Sequence, residues 1–251
     1  MQLRLRRPVA ALMIRAGILA MTLISLAACH TEVAVRTSTR AISEAAKAPS
    51  PPDRALALQI SIETPSGDAC RELASALSQR AKTYGMEATG IQCVNDESKH
   101  LVEFSSDVPL LVTPNNSSAL RGPVTGNVMF QAFITTFQHV MRERRMGRGY
   151  ALTLLYNQAL FASLQADLAR ENPLQKFDLS EIHLSLNLEN DLRTNEVVHL
   201  SSAFVDKIPI VNSTADVLAP QQSTNAIFSD VAVADFGKRG HRVLVSFYPA
   251  D

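Results

Sequence analysis

The chain has 251 residues, with 24 basic and 24 acidic side chains, three cysteines and no tryptophan. Residues 1–28 hold four arginines and no acid, so residues 29–251 carry 20 basic against 24 acidic groups, a net charge of −4. A mildly acidic body with 6% aromatic residues argues against nucleic acid as a partner, because phosphate neutralisation needs a concentrated basic face, and against stacking platforms for bases or sugars.

The leader has three parts. Arg4, Arg6 and Arg7 form a positive head, Ala16 to Ala28 an apolar middle, and Leu26-Ala27-Ala28-Cys29 its end. Thirteen residues of helix reach about 20 Å, short of a hydrocarbon core of about 30 Å, which disfavours a permanent span and favours a cleaved signal. Leu26-Ala27-Ala28-Cys29 resembles the lipobox of bacterial lipoproteins. That resemblance implies a diacylglycerol on the sulfur of Cys29, which becomes the acylated mature N-terminus. An uncleaved anchor and an ordinary secretory signal are the alternatives, and both leave Cys29 as an odd thiol. Two or more acyl chains hold a protein stably in its leaflet, so the membrane is an expected partner. By the same resemblance, His30 in place of Asp after the cysteine implies the periplasmic face of the outer membrane.

Residues 29–53 read as a flexible tether, with an ordered arm packed on the body as the alternative. They are polar and alanine-rich and end in Ala48-Pro49-Ser50-Pro51-Pro52, which favours extended geometry. Leu56, Leu58, Ile60 and Ile62 then alternate with polar or small residues, the period of a strand with one buried face. Asp68 can cap a helix carrying Leu73, Leu77, Ala81 and Tyr84 on one side, and Gly85 ends it. A second strand covers Glu87 to Val94, a polar turn Asn95 to Lys99, and a third strand His100 to Phe104, running on to Val108-Pro109-Leu110-Leu111-Val112.

With Cys29 taken by lipid, Cys70 and Cys93 remain as an even pair in a compartment where disulfides persist. Helix from Cys70 to Tyr84 advances about 21 Å and strand from Glu87 to Cys93 returns about 20 Å, so the two sulfurs arrive close together. A disulfide between them is the expected state; two buried free thiols are the alternative.

Residues 126–148 read as a connecting helix. Within Val128 to Arg145, Phe130, Phe133, Ile134, Phe137, Val140 and Met141 supply an apolar face before Gly147. Arg142, Arg144, Arg145 and Arg148 crowd its last turn, either as cations at a negative helix end or as a patch for anionic headgroups or an acidic partner. Then come a strand at Tyr150 to Tyr156, a helix at Gln158 to Arg170, a strand from Ile182 to Leu188, a turn at Asn190-Asp191 and a strand at Val197 to Val205. Ala226 to Val233 and His241 to Tyr248 read as a closing hairpin around Lys238-Arg239-Gly240.

This order predicts an α+β fold of two βαββ-like lobes with mainly antiparallel sheets, joined by a long helix. The predicted divisions are a signal peptide at 1–28, the tether at 29–53, a first lobe at 54–125, the connecting helix at 126–148 and a second lobe at 149–251. Ile208-Pro209-Ile210-Val211 echoes Val108-Pro109-Leu110-Leu111, which fits either a duplication or chance.

The leader, the two cysteines on a helix and the next strand, Leu188-Glu189-Asn190-Asp191, and Ser202-Ala203-Phe204-Val205-Asp206 before Pro209 together resemble an uncharacterised family of small lipoproteins in bacterial genomes and mobile elements. The resemblance brings no activity. No nucleophile elbow, HExxH, phosphate loop or dinucleotide fingerprint occurs, and no catalytic residue, metal or cofactor is implied. On a hairpin pairing Glu189 with Glu196, His183 and His199 would lie roughly 10 Å apart, too far to share a metal. Asp68, Asp191 and Asp206 fit caps and turns. The expected role is a lipid-anchored envelope scaffold that contacts another envelope protein, within a mobile-element transfer or exclusion system; a small-ligand-binding or hydrolytic lipoprotein is the alternative.

Overall fold

The computed structural model describes residues 30–48, 55–96, 99–113, 127–140, 146–171, 182–211 and 214–250. Among the described residues, thirteen strands form one continuous curled sheet, a half-barrel, accompanied by four α-helices. The two-lobed α+β arrangement joined by a long helix is therefore corrected: the chain is mostly β and has one sheet.

The sheet starts upstream of the expected folded region. β1 (Thr31–Ser38) and α1 (Thr39–Lys47) occupy most of the stretch read as a tether. Thr31, Val33 and Val35 alternate inward, and Ser38 caps α1 by accepting from the Ala41 amide. β2 (Ala55–Thr64) follows, then α2 (Gly67–Arg80), capped by Ser66 rather than Asp68. A short 3₁₀ turn to Tyr84 ends at Gly85, whose φ of +63° is the left-handed stop that glycine supplies. β3 (Glu87–Asp96) and the 15-residue β4 (Lys99–Thr113) form a hairpin.

β4 belongs to both halves of the sheet. Up to Pro109 it pairs antiparallel with β2, and from Leu110 it pairs parallel with β5 (Phe130–Val140). Pro109 offers no amide to a ladder, so it suits the point where the partner changes. The expected connecting helix is in fact β5: Phe130, Ala132 and Ile134 face the core, while Phe133 and Phe137 alternate with them. The run Phe-Ile-Thr-Thr-Phe is rich in aromatic and β-branched residues that crowd a helix and suit a pleated surface.

β6 (Met146–Tyr156), α3 (Gln158–Glu171), β7 (Ile182–Glu189) and β8 (Glu196–Leu200) follow. The strand expected at Val197 to Val205 is broken at Ser202, whose φ is +52°, and resumes as β9 (Ala203–Val205) and β10 (Ile208–Ile210). β11 (Thr214–Leu218), β12 (Ser223–Phe228), α4 (Asp230–Arg239) and β13 (His241–Pro249) complete the chain. The closing hairpin is corrected to strand, helix and strand, with Ser229 capping α4 and Gly240 ending it.

The order across the sheet is β10-β9-β12-β7-β1-β2-β4-β5-β6-β13-β8-β11, with β3 added on β4. Leu58, Val35, Leu184, Leu186, Ile134, Leu152 and Leu154 are fully buried in a single core. Cys70 on α2 and Cys93 on β3 form the expected disulfide, with Cα atoms 5.7 Å apart. Among the described residues no helix is long and apolar enough to cross a membrane.

Candidate functional site

The solvent side of β1, β2, β4 and β3 holds a trough of about 580 Å³. Its walls are mainly the outward residues of four neighbouring strands, with the buried Ile60 and Phe104 also lining it. Register places Glu32 beside Ser61, Ser61 beside Glu103, and Glu103 beside Gln92. The next row is Ala34, Gln59, Ser105 and Thr89. Arg36 stands at one end, four residues along β1 from Glu32 and so about 13 Å away. β3 carries a register shift between Thr89 and Gln92, and Gly90 within it adopts φ +67° with open space where a side chain would stand.

This side of the sheet is acidic. Among the described side chains of β1, β2, β3, β4 and β7, Glu32, Glu63, Glu87, Glu103, Asp107 and Glu189 face outward with only two full cations, Arg36 and Lys99. Six carboxylates against two cations give an excess of four negative charges among these described side chains. Lys99 is paired with Glu63 at 3.1 Å. The strands lie about 4.8 Å apart, so the carboxylates of Glu32 and Glu103 belong to strands about 10 Å apart, near the screening length of physiological salt. They act together on an approaching charge without strongly opposing each other.

A second cluster lies on the other half of the sheet. The ring of His139 stacks on Tyr248 at 3.7 Å, and His199 Nε2 lies 3.2 Å from Tyr248 Oη. His139 reaches Tyr248 across β6 because the residue opposite it is Gly147, and Phe137 likewise lies over Gly149. Burial, and then the charge of His139, holds the His199 imidazole below its ordinary range. Nearby Glu196, 1% exposed, accepts from Thr194 Oγ1; burial raises its carboxyl, and the Thr194 bond opposes the shift. Tyr150 and Tyr156 are raised by burial, and Tyr84 chiefly by its hydrogen bond to Asp167.

The residues singled out in the sequence are dispersed. Cys29, Arg142, Arg144 and Arg145 lie outside the described residues. Arg148 is exposed on β6 opposite Gln138, at no helix end, which corrects the helix-terminal reading for this residue. The hairpin pairing of β7 with β8 is also corrected: β7 pairs with β1 and β12, and β8 with β11 and β13. His183 instead packs against His30, with ring centroids 3.8 Å apart and planes tilted by 36°, far along the sheet order from His199. Asp191 accepts from the Arg40 amide at the start of α1, and Asp206 sits in the β9–β10 turn with φ +49°. Asn190 is wholly buried; it accepts from Thr39 Oγ1 and the Leu192 amide and donates to the carbonyls of Thr194 and Leu218. The Leu-Glu-Asn-Asp motif is thus a structural joint. Sequence reasoning missed Glu32, Ala34 and Arg36, although the alternation Glu32-Val33-Ala34-Val35-Arg36 carries the period of a strand.

The family model of a domain of unknown function, DUF7424, matches residues 53–249. The chain belongs to the DUF7424 family. That assignment agrees with an uncharacterised family and brings no reaction, ligand or partner. No curated protein and no solved structure matches the chain. Within this DUF7424 protein the matched region begins after β1 and α1, so Glu32, Ala34 and Arg36 in the trough come from outside it.

Proposed function

We propose that the protein is a lipid-anchored component of the bacterial envelope that acts without catalysis, holding a protein partner against the acidic trough of β1, β2, β4 and β3. The observation that carries the interaction is the trough itself: about 580 Å³, open to solvent, walled largely by polar side chains and set in a surface whose described side chains carry an excess of four negative charges. Such a surface complements a basic partner, speeds its approach and loses that advantage in high salt. The leader ending at Cys29 supports the anchor, and the Cys70–Cys93 disulfide supports an oxidising compartment such as the periplasm. The outer membrane and a mobile-element transfer or exclusion system are the setting that the sequence resemblance suggests. A second reading, binding of a small polar ligand, is favoured by the volume of the same trough, which lies in the range of ligand pockets.

Intact mass of the purified protein tests the anchor. The expected product starts at Cys29 with diacylglycerol and a further acyl chain, and Cys29→Ala leaves the membrane fraction; an unmodified thiol sinks the anchor. Titration with an oligolysine peptide tests the face. Glu32→Lys with Glu103→Lys is expected to weaken binding several-fold, and binding that ignores both reversals and salt would refute the basic-partner reading.

A further inference from the structure

β1 and α1 precede the residues that the family match covers, yet β1 occupies the middle of the sheet. We infer that residues 30–48 are a docked arm, and that the slot between β2 and β7 is a strand-binding site which the 53–249 region leaves open and the chain's own N-terminal segment fills.

β1 is paired along both edges. Six residues, Thr31 to Arg36, pair antiparallel with β2, and all eight pair parallel with β7. Taking β1 away would leave β2 and β7 facing each other across two strand spacings, about 10 Å, each with a row of unpaired amides and carbonyls beside the core. The slot selects an amphipathic strand. Thr31, Val33 and Val35, at 3%, 4% and 0% exposure, point into the core, while Glu32, Ala34 and Arg36 face the trough.

The helix after the strand closes the joint. Ile42 and Ala45 are buried, and α1 packs against β1, β4, β5 and β6, so the arm grips both halves of the sheet. Its first turn is fixed from the far side of the sequence: Thr39 Oγ1 donates to Asn190 at 3.0 Å, and the Arg40 amide donates to Asp191 at 2.9 Å. The occupant is this chain's own segment, because the alternation of the strand, the cap at Ser38 and the Asn190-Asp191 receiver are matched parts of one sequence. The docking stands without the proposed function. Only the consequence that the trough lacks a wall until the arm is seated rests on that reading.

The test uses the full-length, detergent-purified chain with a protease site placed at Ser50-Pro51. After cleavage the arm is expected to co-elute with the body at monomer size, and cleaved Val35→Asp is expected to lose it. Hydrogen exchange on the uncut wild-type chain supplies a readout that does not depend on a variant folding: β1 amides should be as protected as those of β2 and β7. Shedding of the arm by a body that keeps its melting temperature would overturn the inference, as would fast exchange in β1 beside slow exchange in β2 and β7. Co-elution at dimer size would overturn the assignment of the occupant to the same chain. None of these outcomes depends on the state of Cys29, which intact mass reads separately.

Discussion

Asn190 shows how one side chain can join distant parts of the chain. Its amide reaches Thr39, Leu192, Thr194 and Leu218 from a wholly buried position, so truncation leaves several polar groups without partners in a place water does not reach. Asn190→Ala is expected to cost about 3 kcal/mol, measured by urea unfolding. His199 gives a pH dependence with a definite sign. Its folded-state affinity for protons is lowered by burial and by His139, so the unfolded chain takes up a proton first. The stability is full above the ordinary imidazole range and is lost as pH falls through that range toward the lower folded value. Glu196 runs in the opposite sense, because a buried carboxyl raised above its ordinary range weakens the fold as pH rises. Comparing His199→Gln with wild type isolates the first effect: the fall in melting temperature from pH 8 to pH 5 should be smaller in the variant. An unchanged fall would contradict the assignment.

At the scale of elements, the disulfide ties α2 to β3 across a sequence separation of 23. Replacing both cysteines by alanine should cost about 3 kcal/mol on the chain-entropy estimate, read as a lower denaturation midpoint with little change in slope. That tie was legible in the sequence because helix and strand lengths alone bring Cys70 to Cys93. So were β2, β7 and α3, each marked by its apolar period. β5 was not, since its phenylalanines also recur at helical spacing and only their aromatic and β-branched neighbours argue for a strand. β1 was hidden by composition: alanines and polar residues around Val33 and Val35 look like a linker until the partners on β2 and β7 are known. The partners themselves were beyond reach. No local signal says that β1 lies beside β7, about 150 residues later, and the trough exists only through that pairing.

Across the whole molecule, β4 joins the two halves of the sheet within a single strand, and α1 packs against strands of both. Neither half has a complete core of its own, so unfolding is expected to be one cooperative transition. Far-UV and near-UV circular dichroism should report the same midpoint in urea; two separated transitions would mean that the halves are independent. The position of β1 has a mechanical consequence for the anchored protein proposed above. Cys29 is two residues from Thr31, within about 7 Å of contour, so any tug on the lipid is delivered straight into the centre of the sheet. Such a load runs along the strand and is shared by both flanking ladders at once, which makes the attachment a sheared joint instead of a peeled one.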